Sequence, residues 1–364
     1  LILRDIEITG FRNIIAGKVI FDENLNIVYG ANASGKTNFL EAIFFLLTGR
    51  SFRNQRDAVL INNDREFSRI VGRIDGASGE ALIEIAMERS GGKHIKIDGS
   101  RIERLSELLK CSAVISVTPE DIEIISGPPE HRRRFMDALL SHCYPSYLAA
   151  LILYNKALRQ KNSLLRDSAS PDRGQIKVWN RQLAEYGGDI YDKRKDFVKY
   201  LSNEVTKFYE KISGGEKVSF EYRTNYRLTG GDDRTEALRR VIDGEIEREI
   251  RIRRSVIGPH RDDLEVFIEG MPIRDFGSRG QQRCIMLSMK LASLEFMESM
   301  KGEKPLLLLD EAVSELDLTR SGNLIDLSKS VGQVIMASSK GIEKFSEARG
   351  EKKFLIEGGK IKAV

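Results

Sequence analysis

The sequence is poor in the residues that staple small folds or hold metals. Its 364 residues include 3 cysteines, 4 histidines and 1 tryptophan. Cys111, Cys143 and Cys284 are odd in number, far apart and never in a C-x-x-C pair, which suggests neither a disulfide framework nor a zinc site. His142 is adjacent to Cys143, not ligand-spaced, so both read as packing residues. No apolar run reaches the roughly 18 residues of a membrane helix. The opening residues, Leu1-Ile2-Leu3-Arg4-Asp5, lack the basic-then-apolar build of a signal peptide. The chain is therefore expected in the cytoplasm, with no membrane partner. At 41% hydrophobic and 31% charged residues it can bury one substantial core and a second lobe.

The net charge is only +4, but it is unevenly spread. Between His131 and Tyr200, 14 Lys and Arg face 7 Asp and Glu, so one middle segment carries the basic excess. Such a segment suits a polyanion; a solvated helix face gives the same composition.

Periodicity divides the chain. Ile6 and Ile8, then Val19 and Phe21, alternate with polar residues, and residues 25–28 lead into a Gly-rich turn. Lys36 to Thr48 is apolar nearly all round, the mark of a buried helix, with Gly49 as its stop. Residues 70–74, 81–87 and 93–97 read as a small antiparallel sheet with a tight turn at Asp98-Gly99. From Pro128 the period becomes helical. One helix is expected over residues 132–165 and a second over 176–212, where Ile176, Trp179, Leu183, Tyr186 and Ile190 step by three and four. A charged helix over 235–251 and hairpin strands near 264–273 follow. An apolar helix over 281–297 and buried strands at 306–309 and 333–337 close an α/β pattern. The expected organisation is a discontinuous α/β head, residues 1–127 and 256–364, interrupted by a mainly helical insert, 128–255.

Gly30-Ala31-Asn32-Ala33-Ser34-Gly35-Lys36-Thr37 fits G-x-x-x-x-G-K-[ST] and falls between a strand and a helix. In such a loop, glycines allow successive backbone N–H groups to face phosphates at a helix N-terminus. Lys36 supplies a point charge and Thr37 an oxygen for Mg²⁺. Leu306-Leu307-Leu308-Leu309-Asp310-Glu311 is a buried strand ending in two acids, which is costly unless they face a metal or solvent. Asp310 suits Mg²⁺ and Glu311 an attacking water. Phe276-Gly277-Ser278-Arg279-Gly280-Gln281-Gln282-Arg283 opens the helix near 281 and offers a hydroxyl and backbone N–H groups as a second anion site.

Together these motifs resemble ATP-binding-cassette ATPases, with Ser278 and Gly280 in the signature and Asp317 in the D-loop Ser314-Glu315-Leu316-Asp317. The 242 residues from Lys36 to Ser278 match the RecF and SMC branch, in which a helical arm interrupts the head. Gly10-Phe11-Arg12-Asn13, Gly49-Arg50-Ser51-Phe52-Arg53, the segment from Gly127-Pro128-Pro129 to Asp137, and Gly258-Pro259-His260-Arg261-Asp262-Asp263 are similar to the RecF family itself.

The resemblance implies an α/β cassette-type P-loop head with an inserted helical arm. It implies ATP and Mg²⁺ as ligands, an ATP-dependent homodimer, and work in recombinational repair on duplex or gapped DNA at the nucleoid, with RecR and RecO as partners. Its nucleotide site would comprise Arg12, Asn13, residues 30–37, Asn38, Asp317 and, from the opposite subunit, Ser278, Arg279, Gly280 and Gln281. Lys36, Ser278 and Glu311 would carry catalysis, and Thr37, Asp310 and Glu120 would face the metal, Glu120 standing nearest to the usual Gln. Arg279 stands where many cassette proteins have Gly, and Ser338-Ser339 where they have His, which implies slow turnover. For DNA the expected contacts are Arg132, Arg133, Arg134, Lys193, Arg194 and Lys195. The alternatives are a transporter's energising subunit, disfavoured by spacing, and an SMC-like organiser, whose arms need a far longer insert.

Overall fold

Strands dominate the first third of the chain: β1 (Ile2–Phe11), β2 (Ile14–Ile20), β3 (Leu25–Tyr29), β4 (Phe67–Gly76), β5 (Gly79–Glu88), β6 (Lys93–Ile97), β7 (Ser100–Arg101) and β8 (Val114–Val117). Helices α1 (Lys36–Thr48), α2 (Asp57–Leu60) and α3 (Leu105–Cys111) lie among them. Next come α4 (Glu123–Ser126), α5 (Pro129–Cys143), α6 (Pro145–Asp167), α7 (Arg173–Ile212), β9 (Val218–Arg223), α8 (Arg234–Gly244), α9 (Ile246–Ile252), β10 (Asp263–Ile268), β11 (Met271–Pro272), α10 (Ile273–Phe276) and α11 (Arg279–Lys301). Strands β12 (Leu306–Asp310), β13 (Val334–Ser338), β14 (Glu351–Glu357) and β15 (Lys360–Ala363) finish the chain. This computed structural model describes residues 1–53, 56–168, 171–212, 215–228, 233–311, 332–339 and 351–363.

Two units result. The first comprises Leu1–Asp121, Lys211–Ser213 and Leu287–Val364; the second comprises Ile122–Glu210 and Gly214–Met286. The second boundary thus falls inside α11, later than the 255/256 division expected from sequence, and the Ser278 motif belongs to the second unit.

The first unit is built on a 12-stranded sheet in the order β7-β6-β5-β4-β1-β2-β15-β14-β3-β13-β12-β8. Its two halves obey different burial rules. β3, β13, β12 and β8 pair in parallel, and Leu306 to Leu309 are at most 1% exposed, because a parallel strand is covered on both faces. The antiparallel half shows one wet face. Along β4, Ser68, Ile70 and Ile74 are buried while Phe67, Arg69 and Arg73 are exposed. Strands β4 to β7, expected as a small antiparallel sheet, continue the large one through β1, because Asp5–Thr9 pairs on both edges.

The second unit is mainly helical, with a three-stranded sheet β11-β10-β9. The single helix expected over 132–165 is two, α5 and α6, parted at Tyr144. Pro145 has no N–H to continue the ladder and holds Tyr144 extended, at φ −128° and ψ 104°. The charged helix over 235–251 is likewise divided at Glu245, into α8 and α9. Among the described residues no helix is long and apolar enough to cross a membrane.

Candidate functional site

In the first unit the parallel strands β3, β13, β12 and β8 end side by side, and the loops beyond their C-terminal ends carry the chemistry. The Gly-rich loop follows β3, Ser339 follows β13, Asp310 and Glu311 close β12, and Thr118 to Glu120 follow β8. Residues far apart in sequence have thus become one row of polar groups on an apolar sheet edge.

The loop needs its glycines where it turns back on α1. Gly35 has φ +115°, and a Cβ there would meet the Asn13 amide at 2.6 and 2.8 Å. Gly35 also caps α1 without any side-chain hydrogen bond, so the first N–H groups of a 13-residue helix are left for a ligand. Asn13 braces the loop: its Nδ2 donates to the Ser34 carbonyl at 3.1 Å, and its Oδ1 accepts from Asn38 Nδ2 at 2.8 Å. Gly30, Ala31, Asn32 and Ala33 form the outer turn, with Ala33 also at positive φ, 62°.

Lys36 is 5% exposed. Its ammonium donates to the Gly30 and Ala31 carbonyls at 3.0 and 3.1 Å and lies 3.5 Å from Glu311 Oε1. Thr37 Oγ1 donates to Asp310 Oδ1 at 3.0 Å. Glu311 sits at φ +50°, a costly backbone for a residue with a side chain, and its Oε2 accepts from Ser339 Oγ at 3.0 Å. One of the two serines that stand where the resemblance expects a His thus touches the acid expected to polarise water.

Burial, aided by the charges of Glu311 and Glu120, pushes the Asp310 carboxyl up to about 6 against the Thr37 hydrogen bond and the Arg53 charge, which lower it. Glu120 thus lies within electrostatic reach of Asp310. The folded chain holds the Asp310 proton more tightly than the unfolded chain, so this group's contribution to stability falls as pH rises from about 4 to about 6, by on the order of 2–3 kcal/mol. Urea unfolding across that window should show the fall in the wild type and a flatter profile in Asp310→Asn. Equal slopes in both proteins would contradict it.

The residues suit a magnesium nucleotide. The Ser34 hydroxyl is buried with no hydrogen-bond partner among the described residues, and Thr37, Asp310 and Glu120 offer only oxygen donors, as Mg²⁺ requires.

Sequence reasoning gave no role to Glu41, a fully buried acid on α1 that binds both nearby arginines. Arg12 Nε and Nη2 each donate to it at 3.1 Å, Ser51 Oγ donates at 2.5 Å, and Arg53 Nη1 lies 3.5 Å away. Arg53 also donates to Asn38 Oδ1 at 3.0 Å. The signal was present, since Glu41 is the one acid in α1 and interrupts an apolar run from Phe39 to Leu47.

The Ser278 motif forms a capping box in the second unit. Ser278 Oγ accepts from the Gln281 backbone at 3.2 Å, and Gln281 Oε1 accepts from the Ser278 backbone at 2.8 Å. Ser278, Arg279 and Gly280 are exposed. Glu216, not foreseen, takes Gln281 Nε2 at 2.8 Å and the Tyr209 hydroxyl at 2.8 Å. Asp317 lies outside the described residues.

Two of the six expected DNA contacts, Arg132 and Arg194, are buried. Arg132 is 4% exposed and Arg194 2%. Arg132 forks onto Asp263 at 2.7 and 2.9 Å. Arg194 binds Asp137 at 2.7 Å and the Pro259 carbonyl at 2.7 Å. Both are internal ties of the second unit, since a buried guanidinium must be paired. Arg133 donates to the Asp262 carbonyl, Arg134 pairs with Glu130, and Lys193 covers the Tyr144 ring at 4.4 Å. Lys195 is exposed, 5.7 Å from the Tyr191 ring centre.

Known proteins agree with this architecture. The RecF/RecN/SMC N terminal domain family matches residues 2–352. The DNA replication and repair protein RecF of Streptococcus pneumoniae strain CGSP14 is 36% identical over 339 residues, 93% of this chain and 92% of that protein. The chain belongs to the RecF family. A solved structure of the recombination mediator protein RecF-ATP in the RecFOR pathway superposes with a TM-score of 0.91 at 32% identity, covering 100% of this chain and 97% of that one. An Smc head bound to the C-winged helix domain of ScpA, at 17% identity and TM-score 0.59, covers 100% of this chain and 98% of that one and shares the fold. The RecF-family fold here is the cassette-type α/β ATPase head with a helical lobe.

Proposed function

We propose that this RecF-family chain is a DNA-binding ATPase of recombinational repair whose two copies close head to head on Mg-ATP. The observation that carries the reading is the Thr37–Asp310 hydrogen bond beside the Lys36–Glu311 ion pair, which gathers a metal-facing pair and a charge-and-base pair at one sheet edge. The curated RecF relatives and the RecF-ATP structure support ATP as the substrate.

ATP phosphates take the N–H groups at the start of α1 and compete with Glu311 for the Lys36 ammonium. Thr37 and Asp310 would hold Mg²⁺, with Glu120 facing it, and the ion would supply neutralisation of phosphate charge. Freed from Lys36 but still held by Ser339, Glu311 orients water and accepts its proton as the terminal P–O bond breaks to give ADP and phosphate. Ser278 and Gly280 of the second copy supply the remaining donors. Serine in place of an imidazole suits a slow switch. The closed dimer grips duplex or gapped DNA, and RecR and RecO are its partners, as the RecFOR pathway of the solved relative suggests.

Duplex DNA affinity measured with and without ATP, across salt, tests this. ATP should tighten binding, and the logarithm of the affinity should fall linearly with that of salt concentration. Affinity indifferent to ATP would overturn the coupling.

A further inference from the structure

With Arg132 and Arg194 buried, the free positive charge of the second unit lies elsewhere. At the closed end of the α6–α7 pair, Leu165 and Ile176 pack against Ile246 of α9, with Leu164 and Ile250 around them. Two polar ties fix the end of α9 to α6. Lys161 Nζ lies 2.6 Å from Glu249 Oε2, both side chains fully buried, and the Ser255 N–H donates to Asn162 Oδ1 at 2.8 Å. These ties decide which arginines share a corner. Arg159 and Arg166 flank Asn162 on α6, three residues before and four after, and so lie on its face. Arg173 opens α7, Arg251 lies in the last turn of α9, and Arg253 and Arg254 follow that helix. All six are exposed.

Acids neutralise only part of this charge. Asp167 pairs with Arg166 at 3.3 Å, and Glu247 takes Arg173 in bonds of 2.7 and 3.0 Å. Arg159, Arg253 and Arg254 have no ion-pair partner among the described residues, and Arg251 feels only Glu247, at longer range than Arg173 does. Arg253 is the telling one. It caps α9 in the left-handed conformation, φ 57° and ψ 34°, where glycine is the usual occupant and a side chain costs about 1 kcal/mol. Its side chain is exposed and repays nothing through burial.

We propose that this arginine corner docks the phosphate backbone of duplex DNA; the proposal rests on the DNA reading above. Guanidinium forks match phosphate oxygens in pairs. The large apolar side chains exposed along α6, α7 and α9 are Ile152, Leu153, Val178 and Ile252. None is aromatic, so the corner offers charge without stacking, which fits backbone contact and not single-strand base recognition.

The test uses two variants of the full chain. Arg253→Gly removes one charge while relieving the left-handed backbone, so its thermal midpoint should hold or rise. Arg251→Gln/Arg253→Gly/Arg254→Gln removes three. Each lost phosphate contact should lower the salt slope of duplex binding by about 0.9, and the triple variant should bind at least about tenfold more weakly near 0.1 M salt. ATP affinity should be unchanged in both. If wild type binds duplex DNA and the triple variant keeps both affinity and slope, the corner is wrong while the DNA reading stands. If wild type shows no duplex binding, the DNA reading itself falls.

Discussion

Replacing Glu311 by Gln should lower steady-state ATP turnover by about 100- to 10,000-fold, the range expected for losing a positioned general base. The change keeps the shape and the Ser339 hydrogen bond but removes the charge that faces Lys36 at 3.5 Å. Since the amide no longer competes for the ammonium as an anion, ATP should bind at least as well as in wild type. The variant should therefore accumulate as an ATP-bound pair, with twice the protomer mass by light scattering. A monomer that persists in excess ATP would count against the dimer scheme.

The second large effect is expected from Ser278→Arg. The serine closes a capping box at the head of a 23-residue helix, and losing such a cap costs about 1 kcal/mol, too little to unfold it. The nucleotide loop is braced within the first unit, Lys36 by the Gly30 and Ala31 carbonyls and Thr37 by Asp310, so ATP binding should survive. Dimer formation and turnover should both disappear, because a bulky cation replaces the hydroxyl offered to the second copy. Equilibrium ATP binding by fluorescence alongside phosphate release separates the two. Normal turnover in this variant would show that each copy works alone.

The site was legible where local chemistry decides structure. Gly35, Lys36 and Thr37 announce an anion-binding helix start because few other sequences tolerate that backbone, and Leu306 to Asp310 announces a buried strand ending in acids. The row formed by Ser339, Asp310 and Glu120 was less visible, since adjacency of β13, β12 and β8 is a property of sheet order and not of sequence distance. Two of the expected DNA contacts were misread for a related reason. Arg132 and Arg194 look like surface charge in a basic run, yet Asp263 and Asp137, 131 and 57 positions away in the chain, draw them inside. Glu216 was hidden in the same way, its role being set by Gln281, 65 residues on. Periodicity found the helices but overran Tyr144, where Pro145 alone carried the warning.

The central claim is that a working pocket joins the nucleotide loop and acids of one copy to the Ser278 motif of another. Mixing the Glu311→Gln and Ser278→Arg proteins tests it most directly, because only a mixed pair contains one intact composite pocket: loop and acids from the Ser278→Arg chain, Ser278 from the Glu311→Gln chain. Each protein alone should be nearly inactive, and the mixture should hydrolyse ATP well above the sum of the two. A mixture no more active than that sum, or full activity in the Ser278→Arg protein by itself, would contradict the account.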